Sequence, residues 1–332
     1  MTRLSSFAAA CLLLATTLLP SVAAAQTGHA PMQYAVQAMR SAFTQVKAPV
    51  MAGTHGFPED DLAYATSFVN VGGTFDYGMF LRGGEEYLIA AGGDEDAHRI
   101  AINIRDAAGK VVASEAGTEA GSSVLFTPAE DGTYMVALTL AEADAHGFCA
   151  FTVVSTAGYL VAEDTIPMTA MMLTEMVDGM VEEMATQNIP TGVLTAHNRV
   201  SICGTIIAND RMFQLTQNGL GTGAVSAFFT GAPSEEEYDL NLQVVEGEEQ
   251  IIAEDWDAGS PAVTTIECDN DATYTVNMIN STETEEARWC MMALLRSVPP
   301  AEGADAAAEV STTEEAAPIA APQARRPLRT AR

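Results

Sequence analysis

The sequence predicts a mostly β protein with α-helices, built from two tandem repeats. Each repeat is expected to be an amphipathic helix followed by an antiparallel β-sandwich of jelly-roll type. The first observation is a duplication: His98–Val154 matches Tyr238–Leu294 in apolar pattern without any gap. The second is a series of short alternating runs separated by turn residues. Matched apolar pairs are Ile102 with Leu242, Ile104 with Val244, Val136 with Val276 and Leu138 with Met278.

The two ends of the 332-residue chain differ in composition from the middle. Arg3, the apolar run Ala8–Leu19 and the small residues Ala23–Ala25 are typical of a secretory signal peptide, so we expect a periplasmic or secreted protein. No later segment is apolar for long enough to span a membrane. From Pro299 onwards Ala, Glu and Pro dominate, which predicts a disordered tail. The predicted order is signal peptide 1–25, repeat 1 at 26–157, repeat 2 at 158–298 and tail 299–332.

Each repeat begins with apolar residues at helical spacing. The first helix is predicted at 32–46, between Pro31 and Pro49, because proline is tolerated at a helix start and interrupts a helix interior. The second is predicted at 168–187, where the same apolar stripe returns with Leu173 in the place of Met32. The helix therefore belongs to the predicted duplication.

Methionines recur at intervals of four residues in the second predicted helix. They are Met172, Met176, Met180 and Met184. Thioether sulfur binds Cu(I), so a periplasmic copper-binding protein is one alternative. Met180 and Met184 fall where Met39 and Phe43 lie in the first repeat, however, and a phenylalanine cannot bind metal. Packing in the core or against a partner is the favoured interpretation.

The two β-sandwiches are predicted at 73–154 and 203–296. Arg99–Arg105 alternates isoleucine with polar residues, which is typical of a half-buried strand. Asp106–Gly109 follows as a hairpin connection with glycine at the left-handed position. The second copy carries extra residues around Gln217–Gly223, and a loop insertion is a place where function can diverge.

The formal net charge of −29 limits the partners of the chain. A surface this acidic repels nucleic acid and anionic membranes, so neither is expected to bind. Four cysteines follow the signal peptide, and export permits disulfides with three possible pairings. We prefer Cys203–Cys290, which would join the first and last strands of the second sandwich. No pair has the spacing of a zinc or redox site.

Two candidate binding sites emerge from the residues. Asp94 and Asp96 lie in an acidic turn, with Asp106 at another strand end, and such carboxylates can bind calcium; a solvated turn is the alternative. Apart from calcium at this turn, the sequence suggests no cofactor. Trp256 follows a predicted strand between two aspartates, so we expect it to be exposed and to contact a ligand. No GxSxG or HExxH motif occurs, and no enzyme activity is predicted.

Five short motifs follow one another along the first predicted sandwich. They are Tyr87, Gly92–Asp96, Asp106–Gly109, Phe126–Pro128 and Asp131–Tyr134. In this pattern the chain resembles the bacterial pre-peptidase C-terminal (PPC-like) domain family, small β-sandwiches attached to exported proteins. The resemblance covers roughly Gly73–Val154, and a degraded form covers Gly204–Leu295, where Ala272 replaces a glycine. It implies accessory, non-catalytic modules that bind polymer, protein or surface, sometimes with calcium.

These observations together predict an exported, non-enzymatic binding or scaffolding protein with two adjacent modules. A protein or a polysaccharide of the cell envelope is the expected kind of partner. One alternative is a periplasmic copper- or calcium-binding protein, and another is a hydrolase with a site at the interface of the two modules. The oligomeric state stays open at this point.

Overall fold

A computed structural model describes residues 32–59, 61–162, 164–187, 189, 191–193, 200–218, 220, 224–233, 238–247, 250–257, 261–269, 272–283 and 287–297. The predicted signal peptide and tail, at 1–25 and 299–332, lie outside these residues, as does part of the predicted loop insertion. Within the described ranges the fold is mostly β, with two helices and three antiparallel sheets.

The helices are close to their predicted positions. Helix α1 spans Met32–Met51 and helix α2 spans Thr165–Thr186. α1 runs beyond its predicted end and takes Pro49 into its last turn, which ends two residues later at Met51.

The strands follow one another in short antiparallel segments. They are β1 Leu62–Val69, β2 Thr74–Leu81, β3 Tyr87–Gly93, β4 Ala97–Arg105, β5 Val111–Glu115, β6 Gly121–Phe126, β7 Gly132–Ala143, β8 Gly147–Ser155, β9 Thr191–Val193, β10 Ile202–Ile207, β11 Arg211–Asn218, β12 Val225–Gly231, β13 Leu240–Glu246, β14 Gln250–Asp255, β15 Val263–Glu267, β16 Thr273–Asn280 and β17 Arg288–Ser297.

The sheets have the same strand order in both halves of the chain. One large sheet has the order β15-β12-β17-β10-β1-β8-β3-β6, with β9 added beside β17. Two small sheets have the orders β2-β7-β4-β5 and β11-β16-β13-β14. When nine is added to each strand number, the first half of the large sheet, β1-β8-β3-β6, becomes its second half, β10-β17-β12-β15. The same shift converts the first small sheet into the second. The described strands thus form two similar sandwiches that share one large sheet.

The two sandwiches meet where β1 pairs with β10. Ala65 lies opposite Cys203 at the centre of this pairing. The flanking pairs are Tyr64 with Gly204 and Thr66 with Ile202. These pairs exchange places under a two-fold rotation about the Ala65–Cys203 pair, so an approximate two-fold axis relates the sandwiches. Buried residues of both halves form one apolar cluster between the large sheet and the small sheets.

Both helices lie on the opposite face of the large sheet and bury a second apolar cluster against it. The structure does not support one equivalent helix in each repeat. A Cβ added at Gly92 of β3 would lie 2.2 Å from the Ala42 nitrogen, so α1 crosses this strand with its C-terminal half. At the matching Gly231 of β12 the neighbour is Leu173, in the N-terminal half of α2, whereas the predicted match of the two helices would place Glu183 there. The helices therefore cross their halves of the sheet differently.

The correspondence between the two copies also differs between the sheets. In the small sheets Ile102 pairs with Leu138 as Leu242 pairs with Met278, which agrees with the predicted gapless match.

In the large sheet the copies are displaced from that match. Ser67 of β1 and Thr205 of β10 are equivalent, because each lies two residues after the central Ala65–Cys203 pair. Ser67 pairs with Cys149 and Thr205 pairs with Cys290, so Cys290 of β17 takes the place of Cys149 of β8. The gapless match would instead place Trp289 there. Since neighbouring residues of a strand point to opposite faces, the displacement keeps both cysteines in the core between the sheets and turns Trp289 towards the helices.

Strand β1 lies before the predicted start of the first sandwich at residue 73. Its side chains are buried almost throughout, because helix α1 covers one face and the small sheet covers the other. A strand buried on both faces shows no alternation of apolar and polar residues. The alternation that revealed β4 is therefore absent from β1.

Candidate functional site

The outer face of the second small sheet, turned away from the large sheet, carries a continuous row of polar side chains. Gln214 on β11 lies opposite Asn277 on β16, and Asn277 lies opposite Gln243 on β13. Gln243 in turn lies opposite Glu254 on β14. We call Gln214, Asn277, Gln243 and Glu254 the polar row. It crosses all four strands of the sheet in register.

Hydrogen bonds between side chains hold the polar row in place. Gln214 Nε2 donates to Asn277 Oδ1 at 3.0 Å, and Asn277 Nδ2 donates to Gln243 Oε1 at 3.0 Å. Asn277 is only 4% exposed, whereas Gln214 and Glu254 are exposed. An amide has two donor hydrogens and an acceptor oxygen, so this ladder leaves donors and acceptors for a ligand.

Trp256 lies beside the acidic end of the polar row. It follows the end of β14 directly, two residues after Glu254. Its Nε1 donates to Glu254 Oε2 at 3.0 Å, which fixes the position of the ring, and half of the side chain is exposed. The predicted exposure is therefore confirmed, while contact with a ligand stays a prediction. Trp289, by contrast, is buried under α1 against Phe43 and Phe57.

The corresponding row of the first small sheet has a different composition. It contains Asp76, Ala137, Asn103 and Ser114, paired in the same order. Ala137 cannot replace the bridging amide of Asn277, so the ladder is interrupted. Burial raises the pKa of Asp76, partly offset by the Arg105 charge, and Asp76 Oδ1 has no hydrogen-bond partner. The two sandwiches thus share a scaffold but differ on this face.

The three predicted calcium ligands do not converge. Asp94 and Asp96 precede β4, and Asp106 follows it, so the nine-residue strand separates them by about 30 Å. Asp106 instead shapes its hairpin, where Oδ1 accepts from the Ala108 and Lys110 amides at 3.0 Å each. Across the described ranges, no group of three His, Cys, Asp or Glu side chains is arranged to hold a metal ion.

Asp94 is a buried structural group rather than an exposed turn residue. Only 6% of it is exposed, and its Oδ2 accepts from the Phe148 amide at 2.7 Å. Its Oδ1 is buried without a partner. Burial raises the pKa of Asp94, opposed by hydrogen bonds from the Phe148 and Asp96 amides and reinforced by the charges of Asp96 and Glu95. This carboxylate therefore joins β3 to the start of β8.

The four described cysteines are free and buried. Cys203 lies opposite Met292, two residues from Cys290 on the neighbouring strand, so the preferred pair are diagonal neighbours. Diagonal neighbours are about 7–8 Å apart, whereas bonded cysteines have Cβ atoms about 3.8 Å apart. The predicted Cys203–Cys290 disulfide is not formed in this structure. Burial raises the pKa of the Cys203 thiol to about 12, and it also raises the pKa values of Cys149 and Cys290.

The methionines of α2 face two environments. Met180 is buried, and Met176 and Met184 pack against the cluster beneath the helices. Met168 and Met171, outside the predicted four-residue series, are the exposed ones. Three of the four methionines at the interval that suggested copper thus lie on the packed side of the helix, and Met172, the fourth, is half-buried.

Sequence reasoning found Trp256 but missed the polar row. Gln214, Gln243 and Asn277 lie on three strands that are distant in sequence, and only strand register brings them together. A usable signal was present: comparing outward positions of the two repeats shows Asn277 where the first has Ala137. Differences at solvent-facing positions of a repeat mark the places where the copies have diverged.

Neither described helix is long and apolar enough to cross a membrane. No family model matches the chain, and no curated protein matches it, so the resemblance to PPC-like domains stays a prediction. Among solved structures, the chain is similar to the tandem CBM51 modules of Sp3GH98, the family 98 glycoside hydrolase from Streptococcus pneumoniae SP3-BS71. That similarity has 12% identity, covers 70% of this chain and 83% of that chain, and has a TM-score of 0.23.

The chain is also similar to the N-terminal CBM22-1-CBM22-2 tandem domain of Paenibacillus barcinonensis Xyn10C. The identity is 9%, the coverage is 74% of this chain and 99% of that chain, and the TM-score is 0.22. Scores this low do not establish a shared fold.

Proposed function

We propose that this chain is an exported, non-enzymatic binding protein that holds a hydroxyl-rich polymer, such as a polysaccharide of the cell envelope. The outer face of the second small sheet is the binding surface. The observation that carries the proposal is the polar row in register beside the half-exposed Trp256.

The chemistry of this face suits hydroxyl groups. Each hydroxyl donates one hydrogen bond and accepts others, and the amides of Gln214 and Gln243 offer both kinds of partner. An indole ring adds a large, rigid apolar surface at low entropic cost. Because Glu254 holds the indole through Nε1, little of its freedom remains to be lost on binding.

The composition of the row favours binding over catalysis. Glycoside hydrolysis ordinarily needs two carboxyl groups that flank the scissile bond. Glu254 is the single carboxylate of the polar row, and amides do not transfer protons at neutral pH. The row can therefore orient a polymer but lacks the acid and base that would cleave it.

The first sandwich acts as a scaffold in this proposal. We regard the two sandwiches as diverged copies of one unit, because their strand orders and small-sheet registers correspond. The shared large sheet fixes the second sandwich by backbone hydrogen bonds along β1 and β10. A rigid support of this kind keeps the binding face extended and accessible.

Affinity electrophoresis tests the proposal. Gels containing hydroxyethyl cellulose, xylan or glycol chitin should retard the protein in at least one case. Trp256→Ala should weaken that retardation at least tenfold, since a contact tryptophan commonly accounts for about 2 kcal/mol of binding. Phe80→Ala is the matched control, because Phe80 is also 50% exposed but lies on the first small sheet. No retardation by any of the polymers, or equal retardation of Trp256→Ala, would refute the proposal.

A further inference from the structure

The polar row is accompanied by a second row of different character. Two residues further along each strand, on the same face, Met212 lies opposite Ile279, and Ile279 lies opposite Asn241. The last pair of β13 and β14 is Leu242 with Asp255; Asn241 precedes Leu242, and Trp256 follows Asp255 just beyond the end of β14. We call Met212, Ile279, Asn241 and Trp256 the Trp256 row. Asn241 and Ile279, in the middle of the row, are 3% and 6% exposed, and Asn241 donates to Ser281 Oγ. The apolar surface that a ligand can reach is therefore formed by Met212 and Trp256 at the two ends of the row.

Two parallel rows, one polar and one mainly apolar, match the two sides of a sugar chain. The hydroxyl edge of a pyranose ring needs hydrogen-bond partners, and its C–H face suits apolar and aromatic surfaces. A chain laid across the strands can keep its hydroxyl edge over the polar row and its ring faces towards the Trp256 row. A chain laid along the strands would cross from one row to the other and lose this match.

The length of the rows sets the length of the ligand. Neighbouring strands are about 4.8 Å apart, so the row from Gln214 to Glu254 spans about 14 Å. One pyranose unit of an extended chain advances by about one strand spacing. Three to four consecutive units are therefore needed to cover the row from end to end.

The charge of the face excludes polyanions. The polar row contains the carboxylate of Glu254 and no lysine or arginine, within a chain of net charge −29. A uronic-acid polymer would bring like charges against Glu254 and be repelled.

We infer that the ligand is an uncharged glycan segment of three to four units that lies across the strands of the second small sheet, between the polar row and the Trp256 row. This inference rests on the proposed function and specifies the class, length and direction of the bound polymer. It also makes Gln214, at the far end from Trp256, a contact for longer segments only.

Fragments of graded length test the inference. Fragments of one to six units, prepared from the polymer that retards the protein in the gel, are titrated while tryptophan fluorescence is recorded. The chain has two tryptophans, and Trp289 is 2% exposed, so the change reports on Trp256. Affinity should rise at least tenfold between one and three units and level off after four. Uronic-acid fragments of the same length should not bind.

Gln214→Ala provides the decisive variant, because this residue is exposed and its loss should not disturb the core. It should weaken binding of four-unit fragments about threefold to tenfold and leave one-unit binding unchanged. Asn218→Ala is the matched control, on the same face of the same strand but two rows away from Gln214.

The outcomes separate the two ideas. Retardation in the gel with full affinity already at one unit, or with no effect of Gln214→Ala at any length, overturns the inference but leaves the proposed function intact. Binding of uronic-acid fragments also overturns it. Failure of every polymer in the gel overturns the proposed function itself.

Discussion

Replacing Asp94 by alanine should destabilise the first sandwich, because this carboxylate partners a buried amide. Phe148 is fully buried, and its N–H donates to Asp94 Oδ2 at 2.7 Å. Without that acceptor the amide has no partner, at a cost of about 1–3 kcal/mol, partly offset by removal of a buried charge. A net loss of about 2 kcal/mol corresponds to a melting temperature lower by about 4–8 °C.

Thermal unfolding followed by circular dichroism measures the effect. Glu95→Ala is the matched control, since Glu95 is the exposed neighbour of Asp94, and it should melt like the original protein. The melts are repeated with millimolar calcium and with chelator. Identical melting of Asp94→Ala and the original protein would refute the structural role. A rise in melting temperature with calcium that Asp94→Ala abolishes would instead establish a metal site at this turn.

The same carboxylate makes stability depend on pH in a defined direction. Burial raises the pKa of Asp94 above the value of 3.8 for a free side chain, so the folded state binds its proton more tightly than the unfolded state. The stability contributed by this group is complete below 3.8 and is lost as pH rises through the folded pKa. Relative to Asp94→Asn, the original protein should therefore gain stability as pH falls from 7 towards 4. A difference that does not change with pH would contradict this reasoning.

Two further substitution and labelling experiments test the core. Gly92→Val should lower the free energy of unfolding by about 3 kcal/mol or more in urea titrations, because its Cβ would lie 2.2 Å from the Ala42 nitrogen. Gly78→Val, whose nearest side-chain atoms are 3.7 Å away, should be nearly neutral. A thiol reagent should label none of the four described cysteines in the native protein and all four after unfolding without reductant. A pair that stays unlabelled after unfolding would show that a disulfide forms. The four are Cys149, Cys203, Cys268 and Cys290.

The repeat predicted the sheets well because strand patterns are local. Ile100, Ile102 and Ile104 alternate with polar residues, and all three are buried in the core of the first sandwich. Equivalence of the helices could not be predicted in the same way. An apolar stripe shows which side of a helix is buried, whereas the place where each helix crosses the sheet, at Gly92 and at Gly231, depends on contacts between distant segments.

The candidate site also has one part that local sequence predicts and one part that depends on strand pairing. Exposure of Trp256 follows from its neighbours in sequence, since it lies between two aspartates after a strand. The polar row depends on the registers of three strand pairs, and no single segment contains more than one of its members. The prediction for Asp94, a calcium ligand in an exposed turn, relied on local sequence where a distant contact decides. An acidic turn looks solvated in sequence, but the strand end at Phe148 covers it.

The antiparallel pairing of β1 with β10 has a consequence for the origin and the handling of the chain. Each sandwich alone would expose a long central strand whose unpaired amides form a template for another copy. Because Ala65 and Cys203 lie on an approximate two-fold axis, the first sandwich expressed alone should pair with itself at Ala65. The full chain thus has the form of a dimer whose two subunits have been joined covalently. In a joined pair of this form, one half can change while the other preserves the assembly.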